Sequence, residues 1–444
     1  MDYSKFEKTI NESYQIDKEL YTNFNVKRGL RNKDGSGVLT GLTRIGGVTG
    51  YIKEDEEIIP VHGKLRYRGI EINELVNAIA EEKRNGFEEV AYLLIFGKLP
   101  TEDELKSFNS LLDNNLLVPA GFKENIILKT PSIDIMNKLA RSVLALYSYD
   151  NEPDSITIEN VVRQSIELIA RFPSTIAYGY QTKSHYQDNK SLNLHNPVKG
   201  IGLAKNFLRM IRENKKFTDL EAQTLDISLI LHAEHGGGNN SAFTTHVVTS
   251  SDTDTYSAIS AAIGSLKGPK HGGANNMVMN MMNDIKQNVK NWENVEEVSN
   301  YIVKILQKEA YDKSGLVYGI GHAVYTLSDP RAIILKKYAK ELAKTKNKEK
   351  EFILYDIIEQ VTPKLFQEIK NTDKVLSANV DFYSGFVYNM LEIPPELYTP
   401  IFSMARVVGW CAHRIEEIVS GGRIIRPAYK NVEANSNYIP IKNR

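Results

Sequence analysis

The chain has 444 residues, 42% of them apolar and 25% charged, a balance typical of a globular protein of two or three domains. Fifty-five Lys and Arg offset 55 Asp and Glu, so no global field draws the chain to nucleic acid or to an anionic membrane, and any anion site has to be local. The single cysteine, Cys411, excludes an internal disulfide and a thiolate metal cluster. No apolar run approaches the length of a membrane span. Residues 1–20 are polar and acid-containing, unlike a signal or transit peptide, and a cytoplasmic location is expected.

Helical periodicity runs through nearly the whole chain, and strand-like alternation over residues 51–62 predicts one short hairpin. Residues 1–27 read as a polar helical lead-in. Residues 28–50 are rich in glycine and basic side chains (Arg28, Arg31, Lys33, Gly35, Gly37) and predict a loop of the kind a ligand orders. Two or three helices are expected over 70–112, with Thr101 and Glu104 spaced as a capping box. Residues 159–172 form another helical window, 182–198 a loop, and the helical period returns over 203–212 and 219–235. The stretch 264–275 carries four glycines, one proline and His271, and predicts a loop in which the backbone passes close to something. Beyond it, Val278, Met281, Met282 and Ile285 share a helix face, a pattern of core packing. Asp329-Pro330 marks a helix start with Asp as N-cap; its inner face is Leu335, Tyr338, Ala339 and Leu342, and the charge run 340–350 reads as a solvated helix end. Pro395 opens a long helix to about residue 419, ended by Ser420-Gly421-Gly422. The class is mainly α.

Three loops stand out chemically. They are the His271 loop, Tyr318-Gly319-Ile320-Gly321-His322-Ala323-Val324 with Asp329-Pro330-Arg331, and Ser377-Ala378-Asn379-Val380-Asp381-Phe382-Tyr383-Ser384-Gly385. Two glycine-flanked histidines and one aspartate in apolar surroundings are the parts for acid–base work. His232 and His235 flank Glu234 at a spacing one residue short of the zinc motif His-Glu-x-x-His, so a metal is not expected. Arg406 lies in a helix that is apolar on almost every face, where a guanidinium has to be paired. Glu416 and Glu417 are too far along that helix to reach it. The alternatives are a distant protein carboxylate or a ligand carboxylate held bidentately, with Arg331 adding to the anion site from the first turn of its helix.

These blocks resemble, in order, the three signature segments of the citrate synthase family. The likeness extends to Leu231-His232-Ala233-Glu234-His235, Ala405-Arg406-Val407-Val408-Gly409-Trp410 and Arg423-Ile424-Ile425-Arg426-Pro427, and upstream to 67–72 and 87–97, covering about residues 28–428. The resemblance implies a two-domain helical fold, with a large domain of 1–275 and 384–444 and a small one of 276–383 that closes over the site. It implies condensation of acetyl-CoA with oxaloacetate and hydrolysis of the citryl thioester, the reaction that feeds the tricarboxylic acid cycle. Asp381 is the implied base, and His271 and His322 the hydrogen-bond donors. His235, Arg331 and Arg406 are the implied oxaloacetate ligands, joined by Arg426 of a second subunit in a homodimer with shared sites. Lys374 and Arg31 are the implied CoA contacts; Thr326 stands where the family commonly has a basic residue. Lys267 and Lys270 have no role assigned. No metal or prosthetic group is implied, and no nucleic-acid or membrane partner. The nearest alternative is 2-methylcitrate synthase, using propionyl-CoA. A catalytically silent CoA- or carboxylate-binding relative is the alternative of another class, and the presence of His271, His322 and Asp381 speaks against it. A third alternative is an acyl-CoA lyase or ligase module, but a ligase would need a nucleotide-binding domain that is not seen.

Overall fold

In the computed structural model, which describes residues 3–54, 57–322 and 324–444, 17 α-helices are found among those residues. The chain divides into two compact units, one ending at Leu42 and one running from Thr43 to Arg444. In the first, α1 (Ser4–Ser13) and α2 (Lys18–Asn23) form the polar lead-in; Asp17 caps α2 by accepting from Glu19 N at 2.9 Å. A 3₁₀ turn, Arg28–Leu30, precedes a small closed loop in which Arg31 pairs with Gly37 and its Nη1 donates to Gly35 O at 3.2 Å.

The second unit opens with a three-stranded antiparallel sheet, β1 (Gly46–Glu54), β2 (Glu57–Tyr67) and β3 (Ile70–Glu71), in that order. The hairpin is longer at both ends than the expected 51–62, and residues 46–50 belong to it rather than to a loop. Gly46, Gly47, Gly50, Pro60 and Gly63 are poor strand formers, so the local pattern underrates strands that are held by burial of Leu65 and Tyr67.

Helices follow: α3 (Ile72–Glu81), α4 (Phe87–Phe96), α5 (Glu102–Asn114) with both bonds of the Thr101–Glu104 capping box, a π-turn at Lys123–Leu128, α6 (Ile135–Leu146) and the 31-residue α7 (Ile158–Asp188). The window 159–172 is only the first half of α7. Pro173 lacks the N–H that would continue the ladder, yet the helix runs on because Phe172, Ile176, Ala177 and Tyr180 are buried. Then come α8 (Leu203–Ile211), α9 (Asp219–His232), α10 (Asn240–Thr249), α11 (Thr255–Lys267), α12 (Ala274–Asn288) and α13 (Val295–Leu306). The first four residues of the stretch 264–275 are therefore helical, and fully buried Leu266 is what holds them so. Met281, Met282 and Ile285 of α12 are fully enclosed, each contributing about 1.5–3 kcal/mol by removal from water. Last are α14 (Pro330–Thr345), α15 (Glu349–Lys370), α16 (Val380–Met390) and α17 (Tyr398–Val419). The charge run 340–350 thus spans the end of α14 and the start of α15.

Helix α17 is the axis of the core, packed against α4, α7, α9, α10 and α11, and Trp410, Arg406 and Arg414 are among its fully buried side chains. Helix α16 packs on α12 and α14. No helix among the described residues is long and apolar enough to cross a membrane.

Candidate active site

The loops singled out in the sequence meet where the starts of α12, α14 and α16 approach the middle of α17. The His322 and Asp381 loops are stitched by backbone: Ile320 bridges Ala378, Gly321 N donates to Ser377 O (2.7 Å) and Asn379 N to Gly319 O (2.9 Å). Asn379 adds a side-chain bond to Gly321 O (2.8 Å) while capping α16 through Asp381 N (2.9 Å). Asp381 therefore lies in the first turn of α16.

His322 Nδ1 accepts from both Val324 N and Tyr325 N at 3.0 Å, which puts the ring proton on Nε2 and leaves that nitrogen a donor. Its ring is 5.4 Å, centroid to centroid, from His235. His235 Nε2 is enclosed and has no hydrogen-bond partner among the described residues. His271 precedes α12 by three residues, and its Nε2 lies 3.0 Å from Ser241 Oγ, which also accepts from Trp410 Nε1 at 3.0 Å.

Arg406 is fully buried. Its Nε donates to His232 O (2.7 Å) and its guanidinium lies 4.7 Å over the Phe402 ring, but Nη1 and Nη2 have no partner among the described residues. The two glutamates on its own helix are engaged elsewhere: Glu416 accepts from Arg44 N (2.7 Å) and Glu417 bonds His246 (2.7 Å). Arg331 is different. It is buried and already paired, with Nε and Nη2 bonded to the two oxygens of Asp329 at 3.0 and 2.8 Å. The same Asp329 caps α14 and accepts from Val380 N (3.1 Å), tying the start of α14 to the start of α16.

Burial sets the protonation states. It raises Asp381 to about 6 against the pull of the Arg331 and Arg406 charges. It lowers His271 to about 4, helped by Arg406, and holds His235 well below the usual imidazole value, helped by Arg331. Arg406 itself is depressed to about 10, burial outweighing the attraction of Glu234. For Arg331, burial is outweighed by Asp329 and the charge is reinforced. The site thus contains two neutral imidazoles, a carboxyl group that ionises near neutrality and a cation with two open donors.

His232 is buried, with its ring against Phe402 at 4.6 Å, and among the described residues it belongs to no metal-ligand grouping with His235. The one such grouping among the described residues is His246, His413 and Glu416. There the facing nitrogens already bond each other at 3.1 Å, with Glu417 on the far side of His246 and Glu234 on the far side of His413 (3.0 Å). Burial opposes charge on His413, but Glu234 and Glu416 raise it to about 9, and Glu234 also accepts from Gly236 N beside His235.

Arg426 is exposed in the irregular segment after α17, where Ile425 N donates to Ser250 Oγ, and Lys374 is exposed before α16. Lys267 pairs with Asp134 at 3.1 Å, and Lys270 is exposed. The sequence pattern gives no role to Tyr325, stacked on His322 at 4.8 Å, to Ser241 or Phe402, or to Asp329 as an ion-pair partner. Only Asp329 left a signal, as an acid two residues before an arginine at a helix start.

The family model described as "Citrate synthase, C-terminal domain" matches residues 36–428. A citrate synthase of Synechocystis sp. is 34% identical over 386 residues, 86% of this chain and 88% of that one. A 2-methylcitrate synthase 1 of Corynebacterium glutamicum is 31% identical over 427 residues, 94% and 98% of the two chains. Among solved structures, the ternary complex of carboxymethyl coenzyme A and oxaloacetate with citrate synthase from the archaeon Thermoplasma acidophilum gives a TM-score of 0.77 at 26% identity, covering 94% of this chain and 99% of that one. With the match running from residue 36 to residue 428 and the helical architecture shared, the chain belongs to the citrate synthase family and is an enzyme of that acyltransferase class.

Proposed function

We propose that the protein condenses acetyl-CoA with oxaloacetate and hydrolyses the resulting citryl-CoA to citrate and CoA. The observation that carries this reading is the buried guanidinium of Arg406, with two unpartnered donors, beside a carboxyl group that titrates near neutrality and three histidines. A dicarboxylate satisfies those donors as no group among the described residues does.

In this scheme Arg406 and His235 hold oxaloacetate carboxylates, with Arg331 contributing its field and its remaining nitrogen. The Asp381 carboxylate takes a proton from the acetyl methyl group. A thioester α-proton is too weak an acid to be lost unaided, so the enolate oxygen needs a preorganised donor; neutral His271 supplies it. The enolate carbon attacks the ketone carbon of oxaloacetate while His322 Nε2–H stabilises the alkoxide that forms. Water then cleaves the thioester, releasing CoA. His322, Arg331 and Asp381 come from the proposed small domain, 276–383, and His235, His271 and Arg406 from the larger one. Arg426 joins the site of a second subunit in a homodimer, and Lys374 and Arg31 serve the CoA phosphates. No step calls for a metal or prosthetic group.

Propionyl-CoA is the second reading, favoured by the similarity to a 2-methylcitrate synthase. The two acyl groups differ by one methyl, worth about 1–3 kcal/mol in a pocket. The deciding measurement is free-thiol release with oxaloacetate and each acyl-CoA. The expected result is a larger kcat/KM for acetyl-CoA; a propionyl preference would reverse the assignment. With Asp381 raised to about 6, kcat/KM should climb with pH through that value and level off above it, since only the carboxylate is a base. Replacing it, as Asp381→Asn, should cost about 10²–10⁴-fold in rate. A flat profile or substantial turnover by the variant would remove Asp381 as the base.

A further inference from the structure

Resting on the reading of His235 and His322 as oxaloacetate ligands, we propose that the hairpin β1–β2 is the template that sets the spacing of these two imidazoles, with Gly50, Gly63 and Tyr325 as its positioning residues. The strands lose register at one point: Thr49 faces Lys64 but Tyr51 faces Pro60, so Gly50 alone stands opposite Val61, His62 and Gly63. At that irregularity the hairpin meets the segment that follows His322. A methyl group added at Gly50 would fall on the Val324 carbonyl. One added at Gly63 would fall on the Ser328 carbonyl and lie 2.6 Å from the Tyr325 ring. Backbone can approach backbone this closely only with no Cβ between them. Two polar contacts fix the alignment: Gly63 N donates to Ser328 Oγ (3.2 Å), and His62 Nδ1 lies 3.1 Å from the same oxygen.

Tyr325 carries that contact to the site. It is fully buried, with one face toward Gly63. Its ring stacks on His322 (4.8 Å, 24°), meets His235 edge-on (5.5 Å, 82°) and lies 5.7 Å from the Arg331 guanidinium. Its N–H is one of the two that orient His322. At the other end of β2, the hydroxyl of Tyr67 donates to Ile230 O (2.8 Å) and accepts from Glu234 N (3.2 Å), holding the turn that leads into His235. One hairpin therefore grips both walls of the gap between the rings.

The test compares Gly50→Ala and Gly63→Ala in the full-length enzyme with Gly47→Ala, where the added methyl lies 3.7 Å from Arg66 Cβ and meets nothing else nearby. Displacing a ligand by a fraction of an ångström is costly. The KM for oxaloacetate should rise about tenfold or more in the first two variants, with the KM for acetyl-CoA held within about twofold, and the Gly47 variant should match wild type. Should the alanine variants not fold, Ser328→Ala removes the polar anchor without adding bulk. It should raise the oxaloacetate KM several-fold, with recovery in Ser328→Thr. An unchanged oxaloacetate KM in the folded variants, or equal rises in both KM values, overturns the proposal. Failure of the wild-type enzyme to use oxaloacetate would instead sink the substrate reading, and that is seen before any variant is made.

Discussion

Arg406 shows how far a single residue can be read. Its sequence setting, one cation in an otherwise apolar helix, already demanded a partner, and neither glutamate on its own helix supplies one. In the structure Glu234 acts on it only through its field, and two of its nitrogens remain open. A buried charge without a hydrogen-bonded counter-charge destabilises the ligand-free protein. Two charge-assisted bonds to a substrate carboxylate are worth about 1.5–3 kcal/mol each. Arg406→Leu is therefore expected to raise the oxaloacetate KM at least about 100-fold, while leaving the thermal midpoint of the substrate-free enzyme unchanged or higher. A fall in that midpoint with unaltered KM would mean that Arg406 serves the fold alone. Tyr325 was not legible in the same way. A buried tyrosine next to a glycine-flanked histidine reads as ordinary core, and its position between two imidazoles depends on contacts with the hairpin, more than 250 residues earlier in the chain.

Among the elements, the helix starts were the most legible and the glycine-rich segments the least. Asp329-Pro330 and Thr101-x-x-Glu104 are local devices whose bonds form within one turn, and both appear as expected. The hairpin and the end of α11 are held by burial against distant parts of the chain, which overrides weak local propensity. The two caps also differ in what else they hold. Thr101 satisfies only the exposed start of α5, so Thr101→Ala should cost about 0.5–2 kcal/mol. Asp329 caps α14, accepts from Val380 N and neutralises buried Arg331. Asp329→Ala leaves that cation unpaired, a loss of about 3–5 kcal/mol on top of the cap. Denaturant unfolding of the two variants should separate them clearly; equal losses would mean that the Asp329–Arg331 pair contributes nothing net.

For the whole molecule, the sequence signalled the family through blocks spread along the chain, from the loops around His271, His322 and Asp381 to segments inside α4 and α17. It carried no sign of how the core answers to pH. Helices α4, α8 and α9 are joined by two buried carboxyl groups: Asp226 of α9 accepts from Gly86 N (2.7 Å) at the start of α4, and Glu88 of α4 accepts from Leu203 N (2.7 Å) at the start of α8. Burial raises both above the ordinary carboxylate range, and the Glu88 charge raises Asp226 further. The folded protein therefore retains a proton that the unfolded chain gives up above about pH 4. Where the folded state binds more protons, stability falls as pH rises. The slope is about 1.4 kcal/mol per pH unit for one retained proton, ending once the pH passes the folded-state value. Glu88→Gln keeps an acceptor for Leu203 N and removes one of the two charges. Measured by denaturant unfolding between pH 5 and 9, wild type should lose stability with rising pH more steeply than Glu88→Gln. Parallel curves would mean that the pair is fully ionised in the folded protein and that the hydrogen bonds at the two helix starts are enough to hold both charges.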